Sequence, residues 1–295
     1  MKRLLCYSIA VMPIIFSGVV MSAPIASLVE VWRLSESLSR PESVVYDAQR
    51  NMLYVSNING GSDEKNGRGY ISRVSLDGAI IDAKWITGLN APKGMAISDG
   101  RLYVADIDTV HEIDISSHAI LREHSDWWGI GNLNDVAADA DGNVYVSDST
   151  DTVVYRLNDG DLEEWADDKR LSQPNGISAE ADALVVAAGD SSVQNPGASR
   201  YLKRVVYKTG KIEPLGDGQP IGNLDGIAPD GRGGYFLTDW GAGRILHFRP
   251  GTEVKLLQEP GKGTADLVFL TKSQLLVVPV MSTGELIAYR VIWTE

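Results

Sequence analysis

Cysteine is all but missing from this chain of 295 residues: the one copy, Cys6, lies inside an apolar N-terminal run. Without that run the chain has no thiol, which excludes disulfides and thiolate metal sites from the folded part. Histidine is scarce too, with four copies, and no G-x-S-x-G is present, so a serine-nucleophile elbow is absent. Positive charge is in deficit. Against 39 Asp and Glu stand 27 Lys and Arg, for a formal net charge of −12 and a pI near 4.8. Phosphate backbones are bound by basic faces, so no nucleic-acid partner is expected. No stretch beyond the N terminus carries the period of a long amphipathic helix.

The start of the chain is laid out for export. Lys2 and Arg3 precede "LLCYSIAVMPIIFSGVV", and small residues follow in "MSAPIAS". Residues 1–23 therefore read as a signal peptide cleaved between Ser22 and Ala26, with an uncleaved anchor as the alternative. Cys6 comes too early for a lipoprotein cysteine. A periplasmic or secreted protein is expected, with no membrane contact after cleavage and one domain over residues 27–295.

What is abundant is repetition. Units begin near Pro41, Pro92, Leu133, Pro174, Leu224 and Ala265, at spacings of 51, 41, 41, 50 and 41 residues. Each opens with a short apolar strand ("SVVYD", "DVAAD", "GIAPD"), then a turn, then a β-rich strand ("NMLYVSN", "NVYVSDS", "GYFLTDW"). Two further alternating segments complete a unit. Four strands per 40 to 45 residues, roughly, is the signature of a propeller blade, and six units predict an all-β, six-bladed β-propeller. The sixth unit has only three strands. Its missing outer strand is "SLVEVWRL", residues 27–34, which resembles "IIDAKWI" and "DLEEWAD" down to the tryptophan. The N-terminal strand is thus expected to close the last blade and remove an open sheet edge. The first and fourth units are about ten residues longer, through Gly-, Ser- and Asn-rich loops expected to border one mouth of the channel.

The first residue of each inner strand faces that mouth, once per blade: Glu42, Lys93, Asn134, Asn175, Asp225 and Asp266. All six are polar. Glu42, Asn134, Asn175 and Asp225 offer only oxygen, the donor set of a hard divalent cation. Calcium is favoured, with magnesium, manganese or zinc as alternatives. The competing reading is a hydrogen-bonded polar ring in which Lys93 neutralises Glu42 or Asp266.

These motifs resemble the SMP-30/gluconolactonase/LRE-like propellers across residues 27–295. The matching stretches are "PESVVYD" for Glu42, "LNDVAADADG" for Asn134, "PNGISAE" for Asn175 and "LDGIAPD" for Asp225. The resemblance, shared with the paraoxonase and diisopropylfluorophosphatase relatives, implies one catalytic metal on those four residues. It also implies a metal-polarised lactone or ester carbonyl, with Asp225 as general base and ligand. Sugar-acid lactonases of the family often carry Arg two residues before the Asn of the "ND" pair. Asn132 stands there and is a candidate substrate contact of different chemistry. Lys93 either binds an anionic substrate or oxyanion, or pairs with Asp266.

Other candidates are weaker. Trp127 and Trp128 in "SDWWGIG", and Trp240, could wall a substrate pocket or pack between blades. Asn57, Asp106, Asp148 and Asp239 end second strands, where turn-holding is expected, with Asp148 and Asp239 also able to support the site from behind. His111, His118, His124 and His247 fall away from inner-strand starts, so neither a paraoxonase-like histidine dyad nor a lyase-type base is supported. The leading expectation is an exported, metal-dependent hydrolase acting on a small lactone or ester, as a monomer or weak oligomer. The rivals are a non-enzymatic propeller that binds through the same mouth, and a streptogramin-lyase-like enzyme.

Overall fold

Residues 24–294, apart from 126–129 and 193, are described by a computed structural model. The proposed signal segment with Cys6, and the pair Trp127 and Trp128, lie outside the described residues. Short turns and alternating apolar positions produce antiparallel strands, and only two short 3₁₀ turns interrupt them among the described residues. No helix among those residues is long and apolar enough to cross a membrane.

The strands form six four-stranded sheets. Blade one comprises β2 (Pro41–Asp47), β3 (Met52–Asn57), β4 (Gly69–Val74) and β5 (Ile80–Leu89). Blade two comprises β6 (Pro92–Ser98), β7 (Arg101–Asp106), β8 (Thr109–Asp114) and β9 (Ala119–His124). Blade three runs through β10 (Leu133–Ala138), β11 (Val144–Asp148), β12 (Val153–Asn158) and β13 (Asp161–Asp167). Blade four holds β14 (Ile177–Ala179), β15 (Ala183–Ala188), β16 (Tyr201–Val206) and β17 (Ile212–Pro214). Blade five holds β18 (Leu224–Pro229), β19 (Tyr235–Asp239), β20 (Arg244–Phe248) and β21 (Lys255–Gln258). Blade six combines β22 (Val268–Leu270), β23 (Leu275–Val280) and β24 (Glu285–Thr294) with β1 (Ile25–Leu34).

The closure is as expected. β1 pairs antiparallel with β24 from Ile25 against Thr294 to Leu34 against Leu286. Trp32 anchors it by donating from Nε1 to the Leu76 carbonyl of blade one at 2.9 Å. An apolar core fills each of the six gaps between neighbouring blades, for example Tyr54, Ile71, Met95, Leu102 and Ile113 between blades one and two. The other five gaps are filled in the same way.

Two local devices then aim the inner strands. In blades one, two, three and five the register against the second strand slips just where the ring residue sits, between Pro41 and Val44, Pro92 and Met95, Leu133 and Val136, and Leu224 and Ile227. A bulge of this kind frees an amide and turns side chains out of the pleat. In three blades a hydroxyl on the second strand takes that amide: Ser43 N donates to Ser56, Asp135 N to Ser147, and Gly226 N to Thr238, at 2.8 to 3.0 Å. The second device is glycine beside the ring residue. A Cβ on Gly176 would lie 1.6 Å from the Asp225 carbonyl oxygen, and one on Gly94 2.4 Å from the Asp135 Cα. Absent side chains here let adjacent inner strands crowd the axis.

Candidate active site at the channel mouth

Five of the six ring residues meet. Glu42, Lys93, Asn134, Asn175 and Asp225 line one cavity of about 250 Å³, together with Arg40, Ile58, Ser62, Asn223, Trp240 and Met281. Ile58 and Met281 belong to an apolar collar with Ala91, Ile107 and Ala265, against which Trp240 packs. The long loop of blade one supplies Ile58 and Ser62. The blade-four insertion contributes from behind: Arg200 donates to the Gln173 and Leu224 carbonyls at 3.0 Å and to the Asn223 side chain.

Asp266 takes a different place. Its carboxylate accepts from Ser43 Oγ at 2.6 Å and from the Leu267 amide at 2.9 Å, and it does not line the cavity. Its own amide donates to the Glu42 carbonyl, so it stitches blade six to blade one. Asp135 does the same between blades three and four, accepting the Ile177 amide at 2.7 Å. Asn132 is also absent from the cavity wall, and its Oδ1 is buried without a partner. Lys93 forms no ion pair among the described residues; its ammonium donates to the Ala91 carbonyl at 3.3 Å.

Polar residues that end second strands hold the loops that carry the ring in blades one, two and three. Asp106 accepts the Asn90 and Ala91 amides, Asn57 the Ser39 amide, and Asp148 the Gly131 and Asn132 amides, at 2.6 to 3.0 Å. Asp239 instead accepts from Ala242 and Arg244. Three of the histidines are engaged within blades, His111 with Asp106, His124 with Glu112 and His247 with Asp230. Among the described residues no histidine lines the cavity.

Electrostatically the mouth is overloaded with negative charge. Glu42 and Asp225 are each 4% exposed, as is Asp135. Burial, then the charges of Asp225 and Asp266, push the Glu42 carboxyl well above the usual range, with Lys93 opposing. Burial raises Asp225 to about 6 against the pull of Arg200 and a hydrogen bond from Asn175. Burial likewise takes Asp266 to about 7 and lifts Asp135 well above its ordinary value. Lys93 is pushed down by its own burial. Four buried carboxylates thus stand against Lys93, Arg200 and, on the cavity wall, Arg40, which leaves an excess of one negative charge.

The donors fit such an ion. Glu42 Oε2 and Asn175 Oδ1 are buried and have no hydrogen-bond partner. Buried oxygens left unpaired are costly, and a hard cation satisfies them. The described residues include no group of three or more His, Cys, Asp or Glu that could hold a metal ion. A four-donor set exists here only because two of its members are asparagine amides.

Sequence reasoning did not single out Arg40, Asn223, Met281 or Arg200. Arg40 and Asn223 sit two residues before Glu42 and Asp225, the place Asn132 holds before Asn134. That register is the signal that would have found them. Arg200 ends the blade-four insertion, a loop of a length that only blade one shares, so an alignment of all six units does not point to it.

Fold and site together define the class: a six-bladed propeller with an oxygen-lined channel mouth. The family model described as SMP-30/Gluconolactonase/LRE-like region matches residues 40–278, and the chain belongs to that family. Among solved structures it is similar to regucalcin from Agrobacterium tumefaciens, a calcium-binding protein, at 18% identity and a TM-score of 0.65. That match covers 89% of this chain and 93% of the other. It is also similar to a catalytically inactive virginiamycin B lyase from Staphylococcus aureus with quinupristin, at 15% identity and a TM-score of 0.61, over 92% of this chain and all of that one. Identities this low show the shared fold alone. No curated protein sequence matches the chain.

Proposed function

We propose that the protein is an exported hydrolase of lactones or related esters that depends on a divalent metal, most simply calcium. The metal would be held by Glu42, Asn134, Asn175 and Asp225. The observation that carries the reading is the pair of orphaned oxygens on Glu42 and Asn175, residues that line one cavity with Asn134 and Asp225. When bound, the ion supplies Lewis-acid polarisation of a carbonyl. The chain's own groups do the rest. Asp225 accepts a proton from water at its carboxylate, which stays ionised near neutrality beside a divalent cation. Asn134 and Asn175 orient through amide groups that stay neutral at any working pH. Ile58, Met281 and Trp240 keep part of the cavity wall apolar and limit competing water. Export rests on the basic start and apolar run of residues 1–23.

The lyase-like alternative draws on the second structural likeness, but it needs a histidine base, and the cavity wall holds none among the described residues. The test is turnover by Asp225→Asn at saturating metal over a lactone and aryl-ester panel. Loss of a general base lowers the rate by about 10²- to 10⁴-fold. Equal turnover in wild type and variant contradicts the assignment of Asp225. No hydrolysis of any panel member by metal-loaded wild type favours the binding module.

A further inference from the structure

The mouth continues sideways into a second hollow of about 340 Å³, walled by Arg40, Trp240, Lys262, Gly263, Met281 and Ser282. Arg40, Trp240 and Met281 face both hollows, so the two form one surface. We propose that this side hollow is a subsite for a carboxylate on the substrate, which makes the preferred substrate an anionic lactone or ester. The substrate class rests on the hydrolase reading of the adjoining cavity; the anion subsite does not.

The chemistry of the wall is one-sided. Among the described residues the side hollow contains two cations and no acid. Neither Arg40 nor Lys262 makes an ion pair among the described residues, whereas Arg33, Arg50, Arg101, Arg170, Arg204 and Arg244 all do. In a chain with 39 acids against 27 bases, unpaired cations that converge on a cleft are free to take a ligand. Arg40 is also held in place. Its backbone is in the left-handed region at φ 51°, and one guanidinium nitrogen donates to the Gly60 carbonyl. The remaining N–H groups of the fork are available, and a guanidinium matches a planar carboxylate two bonds at a time. Trp240 forms a fixed flat wall, since its Nε1 donates to Met281 Sδ at 3.2 Å and the Lys262 ammonium lies 5.5 Å from its ring centre. A ring or chain bearing a carboxylate can lie on that face with its charge between Arg40 and Lys262 and its acyl carbon towards Asp225.

The test measures binding and turnover separately, on the full chain with calcium present. Benzoate is titrated against benzyl alcohol by calorimetry in wild type, Arg40→Gln and Lys262→Gln. We expect benzoate to bind wild type at least tenfold tighter than benzyl alcohol, less tightly as salt is raised, and at least tenfold weaker in each variant. Turnover is compared on para-acetoxybenzoate and its neutral methyl ester. We expect the charged ester to be favoured through KM, with the ratio of the two kcat/KM values collapsing in both variants. Lys262 is exposed, so its variant remains informative if Arg40→Gln fails to fold. Benzoate binding equal to benzyl alcohol, or unchanged in Lys262→Gln, overturns the subsite. Tight benzoate binding with neither ester hydrolysed supports the subsite and overturns the hydrolase reading.

Discussion

At the scale of single residues, the repeated "Ser/Thr-Asp/Asn" ending of second strands is the feature that builds the site. In blades one and three the hydroxyl takes the bulge amide of the inner strand, and the next residue takes an amide of the loop leading into it. In blade three, Ser147 accepts from Asp135 and Asp148 from Gly131, Asn132 and Thr150. Asp148 uses both oxygens, Oδ2 for Gly131 and Oδ1 for the others. Asp148→Asn keeps one acceptor and turns the other into a donor facing a donor. A buried group left unsatisfied costs about 1–3 kcal/mol, so thermal unfolding should shift down while turnover at saturating substrate changes little. A large fall in kcat with an unchanged unfolding temperature would move Asp148 from support into the chemistry. The ring itself was legible in the sequence because six aligned strands put one polar residue at one position. The role of Asp266 was not, because alignment fixes where a residue stands and not which neighbour its carboxylate finds; Ser43 competes for it across the blade boundary.

At the scale of elements, a three-stranded sixth unit and a spare N-terminal strand were enough to read the closure. The structure extends that strand two residues beyond the sequence reading, to Ile25. The bulges were illegible, since a register slip has no compositional mark of its own and shows only as a hydroxyl on the opposing strand. Closure should govern stability. Removing residues 25–34 exposes the β24 edge and strips Ala26 and Leu28 from the core between blades five and six. An open, apolar edge invites pairing between chains. The truncated protein is expected to unfold at markedly lower temperature and to aggregate on heating, read by calorimetry and light scattering. A truncated chain as stable and monodisperse as the full one would show that the ring does not depend on its clasp.

For the whole molecule, the dominant fact is buried negative charge in an already acidic chain. Glu42, Asp135, Asp225 and Asp266 all bind protons more strongly folded than unfolded. Between about pH 4 and 7 the folded state keeps protons that the unfolded state has released, so stability from these groups falls as pH rises. It is present in full below their ordinary carboxylate values, and the share of Asp225 and Asp266 is lost as pH rises through about 6 and 7. Asp168, drawn to about 2 by its hydrogen bond from Arg170, acts in the opposite sense and only in stronger acid. Protein stripped with chelator should therefore melt at higher temperature at pH 5 than at pH 8, and saturating calcium should abolish or reverse that order. Stripped protein that is at least as stable at pH 8 would mean the acids are compensated by some other means.

The central claim is that these oxygens are arranged for one cation, and calorimetric titration of chelator-stripped protein with calcium tests it most directly. The account predicts one equivalent bound, a raised melting temperature on saturation, and at least tenfold weaker binding in Glu42→Gln, which removes the charge on the orphaned oxygen. Absence of binding at millimolar calcium, magnesium, manganese and zinc alike, with no shift in melting temperature, would contradict it.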